Sequence, residues 1–280
     1  MSARQFAIMG IVNVTPDSFS DGGRYLDSQA AIDHGLALHS EGAAILDIGG
    51  ESTRPGADAV SAQEEMARVL PVIEGLRAQA ARAQLSVDTS KAAVAAAALA
   101  AGATLVNDVT ALGGDPDMAG VVADSGAECC LMHMQGTPRT MQSDPHYDDV
   151  VSDVKAFLEA RLREAVSAGI AEERIVLDPG IGFGKTVAHN LELLRRLDEL
   201  LALGRPLLIG TSRKTFLGTL TGRDLDARLP ATIASNVLAF ARGASIFRVH
   251  EVAPVADALT VAAATVTAPW TTRTPTSSTT

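Results

Sequence analysis

The chain has 280 residues, 47% of them hydrophobic, and a formal net charge of −10 with a pI near 5.0. That length and apolar content suffice for a full core, in one large α/β barrel or two ordinary domains. The acidic balance argues against nucleic acid or an anionic membrane as main partner, since both select a clustered positive surface; an anionic small ligand would need a local positive pocket.

In chain order, the first apolar run, 7–12, gives way at Asn13 to the polar segment "NVTPDSFSDGG", with one large aromatic, Phe19, in its middle. A loop of this length without periodicity usually serves as a lid or binding loop. Further short β-rich runs follow at 44–48, 85–87, 104–106, 128–132, 175–177, 206–209 and 245–249, each apolar on both faces as a doubly covered parallel strand should be. Between them the patterns at 29–41, 61–80, 91–101, 117–124, 149–168, 189–202, 230–242 and 252–266 predict helices. Ser61 with Glu64 three residues on predicts a capping box for the second helix, and Pro71 inside that helix predicts a kink or a split. Eight strands alternating with eight helices is the arithmetic of a (β/α)8 barrel, a fold typically of about 250 residues. A doubly wound open sheet stays possible. Residues 1–267 are expected to form the one barrel domain, and 268–280, rich in Thr, Ser and Pro, a disordered tail. Adjacent Cys129 and Cys130 read as buried strand residues in a reducing compartment, and no apolar run reaches the ~18 residues of a membrane span. A soluble cytoplasmic protein is expected.

In such a barrel the site lies at the C-terminal strand ends, so the first polar residues after each run matter most. They are Asn13, Asp47, Asp88, Asn107 with Asp108, His133, Asp178, Lys214 and Arg248 with His250. Converging carboxylates and amides suit a flat heterocycle with several N–H donors, such as a pterin or purine edge. The cations lie after strands seven and eight, where barrels commonly hold phosphate, which suggests a ligand with an anionic second end. Taken singly, Asp47 or Asp108 reads equally as a local cap. "PGIGFGKT" at 179–186 imitates a nucleotide phosphate loop but has Pro179 where the first glycine is required; its glycines instead allow a sharp turn, with Phe183 as a wall.

These motifs resemble those of the dihydropteroate synthase family. The resemblance spans roughly residues 6 to 266 and rests on "NVTPDSFSDGG", "LDIGGESTRPGA", "SVDT", "NDV", "MHMQGTPRTMQ", "LDPGIGFGKT", "GTSRKTFLG" and "RVH", in that order. It implies a single-domain (β/α)8 barrel with two long mobile βα loops, 13–23 and 50–57, that joins dihydropterin diphosphate to p-aminobenzoate and releases pyrophosphate. By the same resemblance Asp88, Asn107, Asp178 and Lys214 hold the pterin. Asn13, Arg248 and His250 hold the diphosphate, with Asn13 also on Mg²⁺. Phe19, Thr53, Arg54, Pro55, Phe183 and Thr215 frame the aminobenzoate, Thr215 standing where many relatives carry Ser. Asp21 and Arg54 either pair across the closed loops and assist catalysis or are ordinary surface charges. Sulfonamides, which mimic aminobenzoate, are the expected competitors, and a homodimer the expected assembly. Rival readings are a methyltransferase using methyltetrahydrofolate, a paralogue that binds pterin without turnover, and a Schiff-base aldolase using Lys214.

Overall fold

The computed structural model describes residues 5–14, 23–52 and 59–267, apart from the side chains of 23–27 and 267. Among these residues the strands are β1 (Ala7–Asn13), β2 (Ile45–Gly49), β3 (Gln84–Asp88), β4 (Leu105–Asp108), β5 (Glu128–Met132), β6 (Ile175–Asp178), β7 (Leu208–Ile209) and β8 (Ile246–Val249). The helices are α1 (Gly23–Ser40), α2 (Ala62–Gln79), α3 (Ala92–Ala100), α4 (Met118–Ser125), α5 (Val150–Ser167), α6 (Val187–Arg195), α7 (Thr215–Thr221), α8 (Leu229–Ala241) and α9 (Val252–Thr267). The strands run parallel in the order β6-β5-β4-β3-β2-β1-β8-β7. A parallel bridge between Leu177 and Leu207, with Leu177 N donating to Pro206 O at 3.0 Å, brings the two outer strands together, so the sheet nearly closes into a single-domain (β/α)8 barrel rather than an open sheet.

Strand alternation decides what faces the barrel axis. Met9, Ile45, Leu105, Cys130, Val176 and Leu208 form a buried cluster of their own inside the barrel, while Val12, Leu46, Val87, Val106, Leu131 and Leu177 join the larger core under the helices. Two residues further along the same inward face, Ile45 becomes Asp47, Leu105 becomes Asn107, Val176 becomes Asp178 and Ile246 becomes Arg248. One step of the pleat thus carries the interior from apolar floor to polar mouth.

Three local expectations change. Pro71 does not split α2, which continues as one helix from Ala62 to Gln79. Val69, Val72, Ile73 and Leu76 on its inner face are fully buried, and at roughly 1.5–3 kcal/mol each they outweigh the ~3 kcal/mol cost of an interior proline. Only half of the capping box forms: Ser61 Oγ accepts from Glu64 N at 3.1 Å, but the Glu64 carboxylate pairs with Arg68 instead. The helix expected over 189–202 is α6 followed by a 3₁₀ segment, Leu197–Leu203, and α7 was not expected. The tail at 268–280 lies outside the described residues.

Candidate active site

Asp47 has no exposed surface and organises one side of the mouth. Its Oδ1 accepts from Ser86 Oγ at 2.6 Å; its Oδ2 accepts from Asn107 Nδ2 at 3.0 Å and from Arg248 Nε at 2.6 Å. Arg248 Nη2 also donates to Asp88 Oδ2 at 2.7 Å. Strands β2, β3, β4 and β8 therefore bring Asp88, Asn107 and Arg248 into one network. Burial holds the Asp88 carboxyl up at about 7, against the pull of Arg248 and with help from Asp47. Burial also disfavours the charge on Arg248, but Asp47 and Asp88 outweigh it and keep the guanidinium above its ordinary pKa.

Asp108, next to Asn107 on β4, faces the other way, as alternation demands. It accepts from Thr110 N and Oγ1, both at 2.7 Å, and from Leu112 N at 2.9 Å, holding a turn in which Ala111 and Leu112 take φ of 52° and 62°. For this residue the local structural role is the one observed.

Across the mouth, Asp178 closes β6 and its Oδ1 accepts from Gly180 N at 2.7 Å; burial raises its pKa. Gly180 (φ 67°) and Gly182 (φ 83°) turn the chain through the left-handed region. The approach is close: a Cβ on Gly180 would lie 1.8 Å from His133 O, and one on Gly182 2.7 Å from Lys214 Cδ. Lys214 Nζ donates to Ile181 O and stands 4.0 Å from the centre of the Phe183 ring. Burial lowers this amine to about 7, opposed by Asp178. Asp178 and Lys214 both lie within electrostatic reach of Arg248.

The glycine turn rests on residues that the sequence did not mark as supports. Lys185 is buried, with Nζ 2.9 Å from His133 Nδ1 and 2.9 Å from Phe183 O. Burial lowers Lys185 to about 7 and His133 to about 3, so the imidazole beside Lys185 is neutral. Gln142 Nε2 donates to Gly182 O and Tyr147 Oη to Gly184 O, each at 2.7 Å.

The remaining candidates are more dispersed. His250 Nδ1 lies 2.9 Å from Ser212 Oγ, and Asn13 ends β1 opposite Gly49. Thr215 is exposed as the first residue of α7, and Phe183 is half-buried. Phe19, Asp21, Thr53, Arg54 and Pro55 lie outside the described residues. The expected division into an acidic side and a basic side is not sharp, because Arg248 sits between two carboxylates and Lys214 leans on a carbonyl and a ring. Beside the mouth, Lys91 Nζ lies 2.6 Å from both Glu51 and Glu65, while Glu51 Oε1 accepts from Val60 N at 3.0 Å, tying residue 51 to residue 60.

Comparison with known proteins agrees with this geometry. The sequence pattern of the pterin binding enzymes matches residues 9–250. The chain is 52% identical to the dihydropteroate synthase of Neisseria meningitidis serogroup C over 258 residues, covering 90% of each. It superposes on the Xanthomonas albilineans dihydropteroate synthase solved with 4-aminobenzoic acid with a TM-score of 0.89 at 51% identity, covering 96% of each chain. With the Yersinia pestis dihydropteroate synthase solved with a sulfonamide drug the TM-score is 0.90 at 46% identity, covering 96% of this chain and 97% of that one. The methyltransferase and non-catalytic readings are not favoured by these relatives. By sequence, fold and the polar ring at its strand ends, the chain belongs to the pterin-binding enzymes and, within them, to the dihydropteroate synthase family of folate-pathway transferases.

Proposed function

We propose that the protein joins 6-hydroxymethyl-7,8-dihydropterin diphosphate to p-aminobenzoate at the mouth of the barrel, giving 7,8-dihydropteroate and pyrophosphate. The observation that carries this placement is the network of Asp47, Asp88, Asn107 and Arg248 lying within electrostatic reach of Asp178 and Lys214. In this reading Asp88, Asn107 and Asp178 accept from the N–H groups of the pterin edge, and Lys214 donates to it. Asn13, Arg248 and His250 take the diphosphate. Phe183 and Thr215 border the aminobenzoate, together with Phe19, Thr53, Arg54 and Pro55, and Asp21 and Arg54 are assigned to pairing across the loops.

A Mg²⁺ ion would be held here through Asn13, a hard oxygen donor of the kind that ion takes. Asn13 offers one amide oxygen at the end of β1, and among the described residues no group of three His, Cys, Asp or Glu side chains forms a cage. When bound, the ion would neutralise charge on the departing diphosphate. The protein's own residues do the rest. Arg248 and His250 stabilise the leaving group as the methylene–oxygen bond breaks and the electron pair goes to the diphosphate. The carboxylates of Asp88 and Asp178 favour the positive charge left on the pterin methylene in a site of low dielectric. The aminobenzoate nitrogen then attacks that carbon, and the proton it loses passes to solvent water.

We also read the protein as a cytoplasmic homodimer. Two observations support this: Leu191, Leu201, Leu220 and Leu238 are exposed on the helical side that follows β6 and β7, and both cysteines are free thiols. Sedimentation equilibrium that returns only monomer mass at micromolar concentration rejects the dimer. The central test is incubation of purified protein with dihydropterin diphosphate, p-aminobenzoate and Mg²⁺. Dihydropteroate and pyrophosphate in equal amounts are expected, and sulfonamides should compete with aminobenzoate; absence of both products rejects the assignment.

A further inference from the structure

Resting on that reading, we infer that Asp47 is the positioning residue of the pterin pocket, setting the orientation of Asn107 and Arg248 without touching substrate itself. Asp47 is a fully buried carboxylate whose two oxygens receive three donors from three other strands, Ser86 on β3, Asn107 on β4 and Arg248 on β8. A carboxylate only accepts. Asn107 must therefore turn Nδ2 toward it, which leaves Oδ1 and the second amide hydrogen for a ligand. A flipped amide would set two oxygens against each other at the 3.0 Å now spanned by a hydrogen bond. Arg248 is fixed at two of its nitrogens, Nε on Asp47 and Nη2 on Asp88, so its guanidinium plane cannot swing. Ser86 Oγ holds the opposite oxygen and stops the carboxylate from rotating. One buried anion thereby coordinates an element of the heterocycle side and an element of the diphosphate side, and the pocket is arranged before substrate enters.

The chemistry distinguishes this role from mere charge balance. An amide at position 47 can still offer its oxygen to Asn107 and Arg248 while its nitrogen donates to Ser86 Oγ, because a hydroxyl both gives and accepts. Asp47→Asn should keep the orientation; Asp47→Ala should lose it. Calorimetric binding of the dihydropterin diphosphate with Mg²⁺ should weaken by about 30-fold or more in Asp47→Ala, the size expected when buried polar groups lose their partner. The KM for p-aminobenzoate at saturating pterin should stay within about twofold, and Asp47→Asn should bind within about fivefold of wild type. Wild-type affinity in Asp47→Ala, equal loss for both substrates, or an Asp47→Asn protein as weak as Asp47→Ala each overturns the inference. Should Asp47→Ala fail to fold, Asp47→Asn is compared with and without Ser86→Ala. The amide loses its acceptor in the double variant, so the cost of Asp47→Asn should be at least about fivefold greater there, a coupling that independent sites would not show. A wild-type protein that does not bind the dihydropterin diphosphate overturns the functional reading and this inference together; wild-type binding with an unaffected Asp47→Ala overturns the inference alone.

Discussion

The Lys214 ammonium group lies 4.0 Å from the centre of the Phe183 ring, with Ile181 O as its acceptor. Burial brings the amine to about 7 from an ordinary 10.5. Between those values the unfolded chain binds a proton that the folded protein does not, so this residue makes stability rise with pH across that window. Below pH 7 the folded protein carries the whole cost of a buried charge. Lys214→Met should therefore raise the melting temperature of the ligand-free protein at pH 6, with the advantage shrinking toward pH 10, while turnover collapses. A melting curve lowered at pH 6 counts against this account.

Asp88 has the opposite slope. Its folded pKa of about 7 exceeds the ordinary 3.8, so the folded protein holds the extra proton and stability falls as pH rises between those values. Asp88→Asn removes that term and can still accept from Arg248. Urea denaturation from pH 4 to 8 should show the variant losing less stability than wild type over the range, and parallel curves would contradict the assignment.

Gly180 and Gly204 form a matched pair, with φ of 67° and 71°. A methyl on Gly180 would strike His133 O at 1.8 Å, whereas one on Gly204 meets nothing within 4 Å. Gly204→Ala should cost only the left-handed strain, about 1–2 kcal/mol. For Gly180→Ala the expectation is insoluble protein or a loss well beyond that figure, by chemical denaturation. Similar costs at both positions would mean that the turn at 179–186 yields easily.

Lys91 lies between Glu51 and Glu65, and Glu65 has no exposed surface. Lys91→Met leaves the carboxylates without their cation, a change that typically costs about 3–5 kcal/mol when the pair is buried. Lys91→Arg should restore much of it. Amide exchange at Val60, whose N–H is held by Glu51, should accelerate in the methionine variant; unchanged exchange there would show that the ion pairs do not hold this junction.

The alternation of strands and helices was readable because a doubly covered strand must be apolar on both faces. Asp88, Asn107 and Asp178 were readable because each is polar where an apolar run stops. The role of Asp47 was not readable. Its partners lie 39, 60 and 201 residues away, and only the register among β2, β3, β4 and β8 sets them level. The same holds for Lys185 and His133, 52 residues apart, which sequence alone presents as part of a false phosphate loop and a strand-end ligand. α7 carries little helix signal, because five of the seven residues in "TFLGTLT" are β-branched, aromatic or glycine and weak in intrinsic helix preference; the buried Phe216 and Leu217 hold it.

The two adjacent sulfur atoms give the molecule a built-in gauge of its own breathing. Cys129 packs between the staves and the outer helices, whereas Cys130 points into the sealed floor with Met9 and Val176. An alkylating reagent reaches the first when a helix peels away and the second only when the staves part. Their separate labelling rates would therefore time two different ways of coming undone, from neighbouring positions in one peptide.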